Sequence, residues 1–241
     1  MKKNENNDLF YIPERLLRMD KIRVNVIGVG GTGSHVVDML ASLGYALLHR
    51  SEKLLDVSAY DFDKIEDRNI GRSDFNIGDT GRMKTEVAIN KANLGYGFSW
   101  NYRQPNHFIP ASINILCLDT EQSREEYIQV INKAGEFNQH DANLLILDIG
   151  NDRDFGQVVM TDSKGKLKGL PKQMKTSEDL NTPTCSQMDW YMHQDLYINR
   201  VMAMWATQML WKLFRDYSID YNQLFWNSNL MKITTKLELN E

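Results

Sequence analysis

Two apolar rhythms alternate along the chain. Lys21 to Gly28 is a short β-branched run ending in glycine, and the period then changes, with Val36, Leu40, Leu43 and Leu47 recurring at helical spacing. That change predicts a strand, a tight turn and a helix. Leu54 to Asp61 predicts the next strand, and Met83 to Leu94 predicts a helix behind a Gly-Asp-Thr-Gly turn. Further strands are expected at Ile113 to Leu118, Leu144 to Asp148 and Gly156 to Thr161, with a helix near Glu125 to Ala134. Strands alternating with helices predict an α/β architecture with a mostly parallel sheet and helices on both faces.

The remaining third reads differently. Lys166 to Pro183 holds four lysines, two prolines and few apolar residues, so an exposed loop is expected. Leu196 to Phe214, LYINRVMAMWATQMLWKLF, approaches the length of a membrane span. Asn199, Arg200, Gln208 and Lys212 interrupt it and leave apolar residues at 198, 201, 202, 205, 209 and 213, a wide stripe that predicts a deeply packed core helix. The N-terminus, MKKNENNDLFY, has basic residues without an apolar run behind them. It reads as a solvated tail rather than a secretory signal.

Composition narrows the classes. With 241 residues, 42% apolar, the chain can build one sizeable core. A formal charge of -4 offers no broad basic field, so nucleic acid is not the expected main partner. The two cysteines, Cys117 and Cys185, form no Cys-x-x-Cys pair, so no zinc is expected and a reducing cytoplasm fits best. Five histidines show no ligand spacing; His35 is placed either to see a phosphate or to pack on its helix.

Chemistry concentrates in two places. Gly28-Val-Gly-Gly-Thr-Gly-Ser34 follows a strand and opens a helix, where glycines let backbone approach a phosphate and free helix N–H groups meet its charge. The fold class is thus α/β, Rossmann-like, with a C-terminal helix/strand extension. Asp61, at the end of the second strand, suits the ribose of either NAD or ATP. Tyr60 and Lys64 have the spacing of a short-chain dehydrogenase pair, but a strand would send the two side chains apart.

Taken in order, the glycine loop, then Asp61-x-Asp63-x-Ile65-Glu66-x-x-Asn69-x-x-Arg72, then Gly81-x-x-Lys84, resemble the ThiF/MoeB/HesA group of the ubiquitin-activating-enzyme-like superfamily. Asp119-Thr-Glu-Gln-Ser-Arg124 and the turn from Gly150 to Gln157 continue the likeness, which spans roughly residues 21 to 160. Thr184-Cys-Ser186, Gln194 to Asn199 and Leu210 to Phe214 resemble the ThiF-related proteins of PRTRC cassettes.

The resemblance implies ATP-dependent adenylation of the C-terminal carboxylate of a small ubiquitin-like protein. By that likeness Gly28, Gly30, Gly31, Gly33 and Ser34 cradle phosphate, Asp61 holds the ribose, and Asn69, Arg72 and Lys84 surround the phosphates. Asp119 holds Mg²⁺, and Arg72, Lys84, Asp119 and Cys185 carry the chemistry, Cys185 as an acyl acceptor or else a packing residue. Asp63 and Glu66 stay outside the core site, Arg68 is unassigned, and Ser73 stands where the family commonly has glutamine. The kinship also implies a homodimer, with Arg15 or Arg18 as candidates for an arginine given across it, and a JAB-type peptidase in the same cassette. It further implies a tail at 1–20 and one domain at 21–241, divided into a nucleotide-binding half (about 21–161), a crossover loop (about 162–186) and a C-terminal helix and strand (187–241). Two other functions use the same residues. One is a non-catalytic nucleotide-binding assembly factor of a plasmid or mobile-element cassette; the other is an NAD-dependent oxidoreductase.

Overall fold

The computed structural model describes residues 8–137, 143–169 and 194–240. The glycine-ended run forms β2 (Lys21–Ile27), and the helical period behind it forms α2 (Gly31–Ser51). Then come β3 (Leu54–Tyr60), α3 (Lys84–Tyr96) and a short edge strand, β4 (Asn101–Arg103). A second crossover carries β5 (Ile113–Leu116), α4 (Glu121–Phe137) and β6 (Leu145–Asn151). A hairpin turns β6 into β7 (Phe155–Asp162), and beyond the crossover region lie α5 (Ile198–Asp216), β8 (Ser218–Ile219), β9 (Gln223–Asn227) and β10 (Lys232–Lys236).

The main sheet has eight strands in the order β10-β9-β7-β6-β5-β2-β3-β4. From β4 to β6 neighbours run parallel, and from β6 outward each added strand is antiparallel. This is the α/β, Rossmann-like sheet with a C-terminal extension that the patterning predicts. The chain order reverses between β2 and β5, and at such a switch point the loops leaving the two strands part and open a crevice.

Side-chain alternation along β2 explains the layers. Ile22, Val24 and Val26 pack with Val36, Val37 and Leu40 of α2 and Met202, Met209 and Leu213 of α5 in the larger core cluster. Ile27, of opposite parity, joins Tyr60, Leu116, Ile146 and Ile131 of α4 in a smaller one. α2, α3 and α5 therefore cover one face and α4 the other. In α5, Ile198, Met202, Met209 and Leu213 are buried as the stripe predicts, and Ala203, Ala206 and Leu210 widen it. Among the described residues no helix is long and apolar enough to cross a membrane.

The N-terminal segment differs from the expected tail. Phe10 and Tyr11 form β1, paired antiparallel with β8, and Phe10 and Ile12 are buried. Leu16 of the short helix α1 (Glu14–Arg18) is 1% exposed. The apolar run Leu9 to Ile12 is cut short by Pro13, too brief to read as an element, and what makes it one is a partner strand more than 200 residues away, at 218–219. Of the loop expected at Lys166 to Pro183, only 166–169 falls among the described residues.

Candidate functional site

The glycine loop leaves β2 at the switch point, and covalent geometry dictates why glycine stands where it does. Gly28 has φ of +84°, and a Cβ there would lie 2.5 Å from the carbonyl oxygen of Cys117, one residue past the neighbouring strand β5. A Cβ on Gly33 would lie 1.9 Å from the carbonyl oxygen of Gly28, so α2 can start this close to its own strand only without a side chain. At Gly31 the obstacle is the carboxamide of Asn199, 2.7 Å away. Around Gly30 nothing lies within 4 Å of a built Cβ, so no protein packing demands a glycine there.

Asp61 is tied directly to this loop. Its Oδ2 accepts a hydrogen bond from the Val29 N–H at 2.7 Å, and its Oδ1 accepts one from Asp63 N–H at 2.8 Å. Ser34 is 1% exposed, and its hydroxyl, bonded to the Gly31 carbonyl, also accepts from Asp74 N–H at 2.9 Å. The loop carrying Asn69 and Arg72 is thereby fastened to the first turn of α2. Asn69 is 4% exposed, and its carboxamide oxygen accepts from Glu66 N–H at 2.9 Å while the Glu66 side chain accepts from the Asn69 backbone. That reciprocal capping shapes the turn, and Ser73 closes it with a hydroxyl bond to the Asn69 carbonyl.

Lys84 starts α3 almost buried, and its Nζ bonds Asp63 Oδ2 at 2.8 Å. Asp63, left outside the site by the sequence reading, is therefore the partner of a site lysine. Its own side chain is 67% exposed, so this pair is weakly held and open to exchange for another anion. Arg68 pairs with Glu66 outside this centre. Asp119 is exposed just past β5, and Thr120, not Asp119, caps α4 by accepting from Ser123 N–H at 3.2 Å. Arg124 clasps Asp148 of β6 and the Leu118 carbonyl, holding this side of the mouth. Burial pushes the Asp148 carboxyl up and Arg124 pulls it back.

A side chain that sequence reasoning missed knits these parts together. Asn199, 4% exposed at the start of α5, accepts from Thr32 Oγ1 at 3.0 Å and from Asn151 Nδ2 at 2.6 Å, and donates to the Arg72 carbonyl at 3.3 Å. Its sequence signal was a polar interruption in an apolar window, legible as an anomaly but not as a contact. His35 resolves toward packing: it is 3% exposed, with its pKa lowered chiefly by burial and secondarily by Arg200. Burial likewise pushes the Cys117 thiol up. Tyr60 and Lys64 share no helix, since Tyr60 ends β3 and Lys64 bridges to Met83. Arg18 pairs with Glu14, while Arg15 faces a cavity at the other end of the sheet. Cys185 lies outside the described residues.

The geometry defines a glycine-loop crevice at the carboxyl end of a Rossmann-like sheet, joined by hydrogen bonds to an acidic residue and a loop bearing arginine. Comparison with known proteins agrees with that class. The ThiF family model matches residues 5–94, and no curated protein sequence matches the chain. Among solved structures, MccB of E. coli superposes with a TM-score of 0.64 at 20% identity over 91% of this chain and 63% of that one. The microcin C7 biosynthetic enzyme MccB in complex with N-formylated MccA gives 0.66 at 17% identity, covering 94% of this chain and 67% of that one. E. coli MccB with ATP gives 0.64 at 17%, over 94% and 66%. These likenesses establish the fold, and the chain spans just under two thirds of the first of these structures.

Proposed function

We propose that the chain adenylates the C-terminal carboxylate of a small ubiquitin-like protein at the expense of ATP. One observation carries the reading: hydrogen bonds gather the glycine loop, Asp61 and the backbone of the Arg72 loop at the switch point between β2 and β5. The ThiF match over residues 5–94 supports it, as does the likeness to a biosynthetic enzyme solved with ATP and with N-formylated MccA.

In the reaction proposed, a carboxylate oxygen of the protein tail attacks the α-phosphorus of ATP. A new P–O bond forms, the bridging α–β P–O bond breaks, and pyrophosphate leaves with its electron pair. Negative charge accumulates on the α-phosphate oxygens and on the leaving group, and pre-positioned donors stabilise it most where water is excluded. The N–H groups at the start of α2 supply such donors, and Gly30 leaves space for phosphate to approach. Arg72 offers a planar fork and Lys84 a point charge that Asp63 surrenders when phosphate enters. Asp61, held by the Val29 N–H, faces the ribose hydroxyls.

Among the described residues no group of three or more His, Cys, Asp or Glu side chains forms a metal cage. Mg²⁺ is commonly held by one or two carboxylates together with substrate phosphates, so the exposed Asp119 fits an ion that arrives with the nucleotide. Bound there, it would offset phosphate charge. Transfer to Cys185 would follow by thiolate attack on the acyl carbon, releasing AMP. The likeness to PRTRC-cassette proteins extends the proposal to a homodimer, a ubiquitin-like partner from the same cassette, a JAB-type peptidase acting on the product, and a cytoplasmic setting.

Pyrophosphate exchange into ATP, measured with the candidate ubiquitin-like protein, tests the reading. Exchange is expected with the wild type and not with Arg72→Ala or Asp119→Ala. Tight ATP binding without exchange would favour the assembly factor, and an NADH fluorescence change without ATP binding the oxidoreductase. A reducible covalent adduct that Cys185→Ala fails to form would establish the cysteine step.

A further inference from the structure

At the opposite ends of the strands a second site is built into the sheet. A cavity of about 160 Å³ is lined by Arg15, Arg23, Ile109, Pro110, Ser112, Ala134 and Leu144. Arg23 is the third residue of β2, and Ser112 and Leu144 directly precede β5 and β6. The stretch of β2 from Arg23 to Gly28 separates it from the glycine loop by about 17 Å at roughly 3.3 Å per residue. It is therefore distinct from the nucleotide crevice.

Three features of the lining point to a ligand. Among the described residues neither Arg15 nor Arg23 makes an ion pair or side-chain hydrogen bond, and Asp56, the register partner of Arg23 on β3, is taken by Lys21. Ser112 is 4% exposed, and among the described residues its hydroxyl has only the Met19 thioether as acceptor, at 3.8 Å. A thioether is a weak acceptor, so this buried hydroxyl retains most of its capacity to bond something else. Beside these donors, Ile109, Pro110, Ala134 and Leu144 offer an apolar wall. The size sets the scale: an engineered apolar cavity of about 150 Å³ holds benzene.

We propose that this cavity binds a small organic carboxylate whose oxyanion meets Arg15, Arg23 and Ser112 while its apolar body of about six carbons lies against Pro110, Ala134 and Leu144. Guanidinium groups recognise a carboxylate through paired N–H donors, and its partial desolvation strengthens those bonds. An inorganic anion would leave the apolar wall unused, and a neutral molecule of the same shape would leave both cations unmatched.

Titration calorimetry on the full chain tests this with benzoate, benzamide and inorganic phosphate as probes. Benzoate is expected to bind once per chain with ATP present or absent, and benzamide at least tenfold more weakly. Arg23→Gln should weaken benzoate tenfold or more while leaving the unfolding midpoint and ATP binding unchanged. Arg23→Lys, which keeps the charge but loses the fork, should fall between. Absence of saturable benzoate binding, equal binding of benzamide, binding of phosphate alone, or an unaltered benzoate affinity in Arg23→Gln would each overturn the proposal. Displacement of benzoate by ATP would do so as well, since it would place the carboxylate in the nucleotide crevice.

Discussion

Replacing Gly33 with alanine separates two effects of opposite sign. Gly33 sits within α2, where alanine is favoured over glycine by about 1 kcal/mol, so helix propensity alone predicts a more stable protein. The structure predicts the reverse. The new methyl would lie 1.9 Å from the Gly28 carbonyl oxygen, and restoring an ordinary contact needs about 1.5 Å of movement between a strand end and a helix start. Both are fixed, by the Asp61 bond to Val29 on one side and the Ser34 and Asn199 bonds on the other. Overpacking of this kind costs about 1–3 kcal/mol, and rigid backbone belongs at the upper end. The net expectation is a loss of about 2 kcal/mol in urea unfolding, seen as a lower midpoint at unchanged slope. Gly30→Ala is the companion measurement. With nothing within 4 Å, it should change stability by less than about 1 kcal/mol. If phosphate approaches the loop there, ATP affinity should fall tenfold or more, a loss of about 1.4 kcal/mol. A Gly33→Ala protein more stable than wild type would refute the packing argument, and normal ATP binding by Gly30→Ala would remove the phosphate cradle.

Other expectations follow from the same contacts. Asn199→Ala strands a buried donor, Thr32 Oγ1, and a half-buried one, Asn151 Nδ2, and should lose about 1–3 kcal/mol in denaturant titration together with ATP affinity. Lys84→Met should weaken ATP binding more than Asp63→Asn, because the lysine is nearly buried at the crevice and the aspartate is its exposed, exchangeable partner; equal losses in calorimetry would contradict this. His35 has a folded pKa below its ordinary 6.5, so the unfolded chain binds more protons between those two values and stability falls as pH drops below about 6.5. That acid-side slope should be smaller in His35→Gln when unfolding midpoints are compared from pH 7 to pH 5. Cys117 is half-buried with its thiol pushed up by desolvation, so it should react slowly with thiol reagents in the native protein, and Cys117→Ala should change only that slow phase.

Much of the fold was legible before any coordinates. β2, α2, β3 and α3 begin and end within a few residues of their expected limits because their patterns are local: a β-branched run stopped by glycine, then apolar residues at helical spacing. The strands β1, β4 and β8 were not legible, and where one C-terminal strand was expected after α5 the structure has two longer ones, β9 and β10. Each is five residues or fewer and depends on a partner strand, and β10 is exposed along its whole length, so no alternation marks it.

The candidate site divides along the same line. The sequence by itself proposed a chemical inventory: the glycine loop and Asp61 from their place at strand ends, and Asn69, Arg72, Lys84 and Asp119 through family resemblance, because motif order is carried along the chain. Tertiary structure decided what each of these touches: that Asp61 grips the Val29 N–H, that Asp63 neutralises Lys84, and that Asn199 stitches Thr32, Asn151 and the Arg72 carbonyl together. It also decided that Arg15, Arg23 and Ser112 share a cavity. Hydrogen bonds and ion pairs act over about 3 Å in space regardless of separation along the chain, so only the folded arrangement of strands could assign those partners.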